Sequence, residues 1–439
     1  MLRSVEDIFK IPDLKKKVLF TLGILAVFRL GTALPLPGVN TDALKAFFAQ
    51  QSGTIFGFLD MFSGGAMGRL SIFALGIMPY INASIIISLL QTAVPYLEKL
   101  AKEGELGRRK ITQFTRYATV FIGLVQSFGF TLWLRTMKAP DGSSIIYQAG
   151  TGFQFLMMLT LVVGTMLCVW LGEQITENGV GNGISLIIFI GIIARFPASI
   201  KNVFNLVRTN ELSLFGGFFF MLMALLITAF VVLVEQAYRK IPVQYARRVV
   251  GRKVYGGQQA FLPLKVDQSG VIAVIFAVAV MTFPLTFAQF FPNQPVFQKI
   301  SEWINRGSPL YNILYSMLII FFCFFYTAIT FNPQDIAENL KRWGGYVPGI
   351  RPGEPTADYL NRVLTRITVG GAVFIVLIAV MPQYLKSLGA PFWFGGTGLL
   401  IAVGVALDTM GQIESHLVMR HYEGFMKKAR LKGRYFNIK

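Results

Sequence analysis

The chain has little that binds metal and little that carries charge. Two cysteines and two histidines occur in 439 residues. Cys168 and Cys323 both fall inside apolar runs, where a thiol packs as a small hydrophobe, so neither a disulfide framework nor a metal site is expected. His416 and His421 read as polar residues at the inner end of the last apolar run. The patterns H-E-x-x-H, G-x-S-x-G and G-x-x-x-x-G-K-[ST] are all missing, which removes the usual sequence signs of a zinc peptidase, a serine hydrolase and a P-loop nucleotidase. "NGVGNG" (178–183) has the glycine spacing of a nucleotide loop, but it joins two apolar runs instead of following a strand and is expected to be a tight turn. Charged residues make up 14% of the chain, where a soluble globular protein carries roughly 25%.

What is there is apolar. Hydrophobic residues make up 54% of the chain, and the mean hydropathy is +0.57. A bilayer core about 30 Å thick needs about 20 mostly apolar residues per helix. Such windows occur near 18–37, 72–92, 112–134, 153–173, 184–204, 214–236, 267–291, 309–330, 367–386 and 392–416. The expected fold is therefore all-α, a polytopic membrane protein with ten transmembrane helices. An outer-membrane barrel is excluded, because its strands alternate apolar and polar over about ten residues. Arg195 and Pro197 interrupt the fifth window near its end. The first window ends at Pro35 and Pro37 with no small-residue cleavage site, and reads as a retained span instead of a removed signal peptide.

Basic residues outnumber acidic ones by 41 to 22, a net charge of +19. With the N-terminus inside, the inner connections hold 29 Lys and Arg and the outer ones far fewer, so both termini are expected in the cytoplasm. Attraction to anionic lipids, about 1 kcal/mol per basic residue near the surface, accompanies that rule. Two inner connections exceed what topology requires: 237–266 is basic and β-branched, and 331–366 carries "GGYVPGIRPGEP". Clustered positive charge on one face suits docking of a large acidic or RNA-bearing partner.

Two stretches look built for something other than spanning. Ile55 to Phe62 is apolar on most faces, too short to cross, and followed by Ser63-Gly64-Gly65, a hinge. Such a piece either lies in the interface or fills a protein-lined cavity from outside as a stopper. In the next window Ile77, Ile81, Ser84, Ser88 and Gln91 share one helix face. That stripe turns from isoleucine to polar toward the cytoplasm, which suits either helix packing or a wet vestibule closing on a hydrophobic constriction. Pro79 is placed to kink the helix. A secondary transporter would carry ionisable groups at mid-membrane. Here Arg29, Glu173, Glu235, Asp408 and Glu414 lie mostly toward helix ends, and Arg29 is expected to pair internally or to snorkel.

Several long segments resemble the SecY family, the central subunit of the bacterial protein-translocation channel. They are "FRLG" (28–31), "LPLPG" (34–38), "MFSGGAMGRLSIFALGIMPYINASIII" (61–87), "KEGELGRRKITQFTRY" (102–117), "WLGEQITENGVGNGIS" (170–185), "FLPLKV" (261–266), "FFCFFYTAITFNP" (321–333), "GGYVPGIRPGEPT" (344–356) and "FGGTGLLI" (394–401). The resemblance implies two pseudo-symmetric five-helix halves, 1–210 and 211–439, and a re-entrant plug helix near 55–69 that includes Phe58, Leu59, Met61, Phe62, Gly64 and Gly65. It implies a pore ring of Ile77, Ile81, Ile184, Ile188, Ile275 and Ile401. A lateral gate would lie between windows two and seven, with Ser84, Ser88, Gln91, Thr92, Gln126, Thr282 and Thr286 as polar contacts holding it shut. Arg252 and Lys253 match basic residues of ribosome contact, with Arg247 and Arg248 beside them, and Arg351 matches an arginine used by the motor SecA. The implied partners are SecE, SecG, SecA, the ribosome, signal peptides and nascent chains. No cofactor is implied, and the chain is expected to be a channel of the cytoplasmic membrane driven by its partners, not an enzyme.

Overall fold

The computed structural model describes residues 11–40, 43–44, 60, 63–136, 145–146, 150–245, 248–250, 253–255, 259–290, 308–387 and 396–432. Each of the ten apolar windows contains helix among the described residues. The helices are α1 (Pro12–Ala33), α2 (Met78–Ala93), α3 (Pro95–Lys102), α4 (Glu105–Thr136), α5 (Thr151–Asn178), α6 (Gly183–Ile193) and α7 (Phe196–Arg208). They continue with α8 (Leu214–Glu235), α9 (Gly270–Phe290), α10 (Pro309–Thr330), α11 (Pro333–Arg342), α12 (Glu354–Ser387) and α13 (Gly396–Lys432). Among the described residues seven helical stretches are long and apolar enough to cross a membrane, and an eighth is the bent pair α2–α3. Between α2 and α3 the chain turns through 99°, at Val94 just before Pro95, where the residue ahead of a proline is pushed out of the helical region.

Proline position explains one departure from expectation and one agreement with it. Pro79 stands in the first turn of α2, so it starts the helix and does not kink it; a missing N–H costs nothing there. Residues 72–77 are consequently turns and not the first part of span two. In window five the interruption falls where Arg195 and Pro197 place it: α6 stops at Ile193, a turn covers 194–195, and α7 begins at Phe196. The "NGVGNG" stretch is a tight turn with Gly181 at φ 91°. Thr21 of α1 accepts the Val180 N–H at 3.0 Å, and Gln412 of α13 accepts that of Gly181 at 3.0 Å.

The described residues fall into two compact units, one within Met1–Ala198, Thr286–Phe297 and Val405–Lys439, the other within Ser199–Leu285 and Gln298–Gly404. In the first, α4 packs against both α2 and α5, and small residues let backbones close up. A Cβ on Gly164 of α5 would collide with the Ile72 carbonyl oxygen. Gly164→Ala should therefore cost about 1–3 kcal/mol through forced backbone shifts. Gly123→Ala, with only ordinary van der Waals neighbours, should be neutral or slightly stabilising. Thermal unfolding of the purified complexes compares the two.

In the second unit the connection 237–266, read only as basic and β-branched, is a sheet. Strand β1 (Tyr238–Tyr245) pairs antiparallel with β4 (Gln259–Lys265) and with β5 (Gly345–Tyr346), and between them β2 (Arg248–Val250) and β3 (Lys253–Tyr255) form a hairpin. Ile241 and Leu264 of this sheet share a dry core with Val347 and with Leu360 of α12, so the platform is fastened to a long helix. The all-α chain thus carries one small β platform. The other long connection is largely helical, being α11 and the first turns of α12. At the end of the platform the Asp267 carboxylate accepts the Gly270 N–H at 2.7 Å and starts α9.

Candidate functional site

Residues 63–77 lead into α2 as a series of turns. Gly64 and Gly65 have φ of 69° and 87°, the left-handed region that a side chain resists, which is what the Ser-Gly-Gly hinge requires. A Cβ on Gly64 would also stand 3.0 Å from the Gly191 Cα of α6. The turn is tied to the chain after α1: Leu36 N–H donates to Leu70 C=O at 2.8 Å and Ile72 N–H to Leu34 C=O at 3.2 Å. Asp60 organises its start. One carboxylate oxygen accepts the Gly68 N–H at 2.6 Å, the Asp60 carbonyl accepts Gly65 N–H at 2.8 Å and Ser63 Oγ at 3.1 Å, and the carboxylate pairs with Arg195. Arg29 of α1 donates from Nη1 to the Gly64 carbonyl at 2.7 Å, so this intramembrane arginine is satisfied by internal pairing. Of the residues expected in a plug, Phe58, Leu59, Met61 and Phe62 lie outside the described residues.

The six isoleucines expected to form a pore ring divide between the units. In the first, Ile77 and Ile81 are 4% and 5% exposed and Ile188 is buried, while Ile184, one turn before it on α6, is half-buried. In the second, Ile275 on α9 and Ile401 on α13 are both buried. Burial along the α2 stripe falls as polarity rises: Ile77 and Ile81 are buried, Ser84, Ser88 and Gln91 are half-buried, and Thr92 is exposed.

Among the gate candidates, two hydroxyls are taken by their own helices. Thr92 Oγ1 donates to Leu89 C=O at 2.7 Å, and Thr282 Oγ1 to Val278 and Ala279 C=O at 3.0 Å. Such back-bonding satisfies a polar side chain inside lipid without a partner helix. Gln126 is buried on α4. Thr286 lies in α9, with its side chain outside the described residues.

On the platform, Arg248 and Lys253 occupy opposite strands of the β2–β3 hairpin, whereas Arg247 and Arg252 lie outside the described residues. Arg351 is exposed on a turn between Gly349 (φ 80°) and Gly353 (φ 106°), closed by Thr356 Oγ1 donating to the Arg351 carbonyl at 2.7 Å. The platform also presents Trp343 and Phe261, 72% and 57% exposed.

Sequence reasoning missed two ion pairs. One is Asp60 with Arg195. The other joins Arg116 of α4 to Glu173 of α5, bidentate at 2.9 and 2.7 Å, with Tyr80 of α2 close enough to feel both charges. For the second pair the available signal was charge of opposite sign inside two apolar windows, since an intramembrane charge needs a partner.

A family model described as SecY matches residues 71–410. The chain belongs to the SecY family. A relative described as "Protein translocase subunit SecY" from Escherichia coli (strain K12) is 47% identical over 425 residues, 96% of each chain. Two solved structures share the fold. "The structure of a protein conducting channel" superposes with a TM-score of 0.66 at 18% identity, covering 92% of this chain and 93% of that one. "Cryo-EM structure of idle yeast Ssh1 complex bound to the yeast 80S ribosome" gives 0.62 at 15%, covering 93% and 90%. A SecY-family chain with seven or eight apolar spanning candidates is a multi-pass membrane protein, and its relatives are subunits of a transport machine, not enzymes.

Proposed function

We propose that this chain is the protein-conducting subunit of a bacterial translocase, passing unfolded secretory polypeptides across the cytoplasmic membrane and releasing apolar segments sideways into lipid. An extended chain advances about 3.3 to 3.6 Å per residue and presents a polar N–H and C=O at each one. Leaving such groups unpaired in hydrocarbon costs several kcal/mol each, so the path must be wet. A wet path leaks ions. A ring of β-branched side chains resolves the conflict, because it fits around any sequence and dewets when empty. The observation that carries this reading is the burial of Ile77, Ile81, Ile188, Ile275 and Ile401 in a SecY-family chain.

The remaining roles follow the family pattern. The segment 55–69 is the plug, and 1–210 and 211–439 are the two halves. The lateral gate lies between the second and seventh spans, lined by Ser84, Ser88, Gln91, Thr92, Gln126, Thr282 and Thr286. Interhelical hydrogen bonds in membranes average about 0.6 kcal/mol, weak enough for a segment of about 20 apolar residues to part the helices. SecE and SecG complete the channel. Arg247, Arg248, Arg252 and Lys253 receive the ribosome, a role supported by the ribosome-bound state of one structural neighbour, and Arg351 receives SecA. Both termini are cytoplasmic, and the energy comes from those partners.

Single cysteines at Ile81, Ile275 and Phe62, in a complex with Cys168 and Cys323 replaced by alanine, test the path. Each should crosslink to a stalled secretory precursor, while cysteines at Phe121 and Leu225, both exposed apolar positions, stay silent. An engaged precursor that crosslinks to none of the three refutes a central pore.

A further inference from the structure

We infer that Asp60 and Arg195 are positioning residues of the seal: their ion pair holds the end of the plug segment and the turn behind it in the closed arrangement. The inference rests on the plug reading above. Three observations converge on it. Asp60 is the organising residue of the turn, since its carboxylate and carbonyl together take the N–H groups of Gly68 and Gly65 and the Ser63 hydroxyl. Its side chain is 13% exposed, and the charge it carries there is met by Arg195. Arg195 stands in the break between α6 and α7, where the interrupted helix lets a long side chain turn toward the segment.

Arg29 adds a second grip, on the Gly64 carbonyl. Ser63, Gly64 and Gly65 have little side-chain surface to bury, so this start of the turns is held by such anchors, while the turns after it pack through Met67, Leu70 and Phe73. Here the two anchors are cations borne by a spanning helix and by the break in a spanning segment, so the hold on Asp60 and on the Gly64 carbonyl is electrostatic. Ile77, the residue preceding α2, lies at the far end of the same run of turns. A shift at Asp60 therefore reaches the first turn of α2, with Ile77 and Ile81. Ion pairing suits a seal that must open: removing one partner leaves an uncompensated charge, whereas removing both costs much less.

The test is potassium efflux from sealed vesicles holding the assembled translocase complex, beside translocation of a secretory precursor. Asp60→Asn keeps an oxygen for the Gly68 N–H and removes only the charge. It and Arg195→Gln should each raise resting efflux about tenfold, since a loss of about 1.4 kcal/mol from the closed state is a factor of ten. The double variant should leak no more than either single. Arg195→Lys, which keeps the charge, should return efflux close to the parent. A role confined to folding would instead lower the amount of complex without raising efflux per complex. If Asp60→Asn does not assemble, Arg195→Gln against Arg195→Lys decides the matter. Deletion of 55–69 serves as the reference. A leaky deletion beside singles at parental efflux, or singles whose effects add in the double, overturns the ion-pair seal alone. A deletion that leaks no more than the parent overturns the plug reading, and the seal with it.

Discussion

Serine at both 77 and 81 should make the resting complex leak potassium about a hundredfold faster than the parent. Both isoleucines are almost fully buried, and withdrawing each from water is worth about 1.5–3 kcal/mol. Two such losses move a dewetted constriction toward the wetted state by at least about 3 kcal/mol, a factor of about a hundred. Ile77 precedes the first residue of α2 and makes no side-chain cap to it, so serine at 77 removes no cap. Valine at both positions keeps a β-branched apolar surface and should leave efflux within a few-fold of the parent. Efflux of the serine variant matching the parent, at equal amounts of complex, would remove Ile77 and Ile81 from the constriction.

Arg116→Leu should give the largest loss of stability. It strips the partner from Glu173, whose side chain is 18% exposed, and an orphaned buried charge costs about 3–5 kcal/mol. The Arg116 side chain is 43% exposed, so the expected loss is toward the lower end, about 2–3 kcal/mol. A domain of about 150–250 residues shifts by about 2–4 °C per kcal/mol and a larger one by less, so the purified complex should lose its fold a few degrees below the parent. Arg116→Leu combined with Glu173→Leu should recover most of that loss, because no uncompensated charge is left. A single variant as stable as the parent, or a double worse than the single, would show that the pair does not hold α4 to α5.

How much of this was legible depends on how local each feature is. A run of twenty apolar residues is a one-dimensional property, and all ten windows carry helix in the structure. The break at Arg195 and Pro197 was legible for the same reason, since proline acts on its own backbone. The role of Pro79 was not, because whether a proline kinks a helix or starts one depends on where the helix begins. That beginning is set by the turns 63–77 folding back onto Leu34 and Leu36. The β platform was hidden as well. Only Ile241 and Val243 of β1 face a core, so its short alternation is masked by the basic residues around it.

The amino-acid sequence by itself determined the solvent, the number of apolar windows, the weighting of positive charge toward one set of connections, and the isoleucine and serine stripe on α2. Each is a matter of composition or of spacing along one element, which neighbours cannot alter. Tertiary structure alone decided which charges meet. Arg116 finds Glu173 across 57 positions, Arg195 finds Asp60, and Arg29 finds a backbone carbonyl instead of an acid. In hydrocarbon a charge must be satisfied at short range, and which partner lies at that range is a property of packed helices, not of the order of residues.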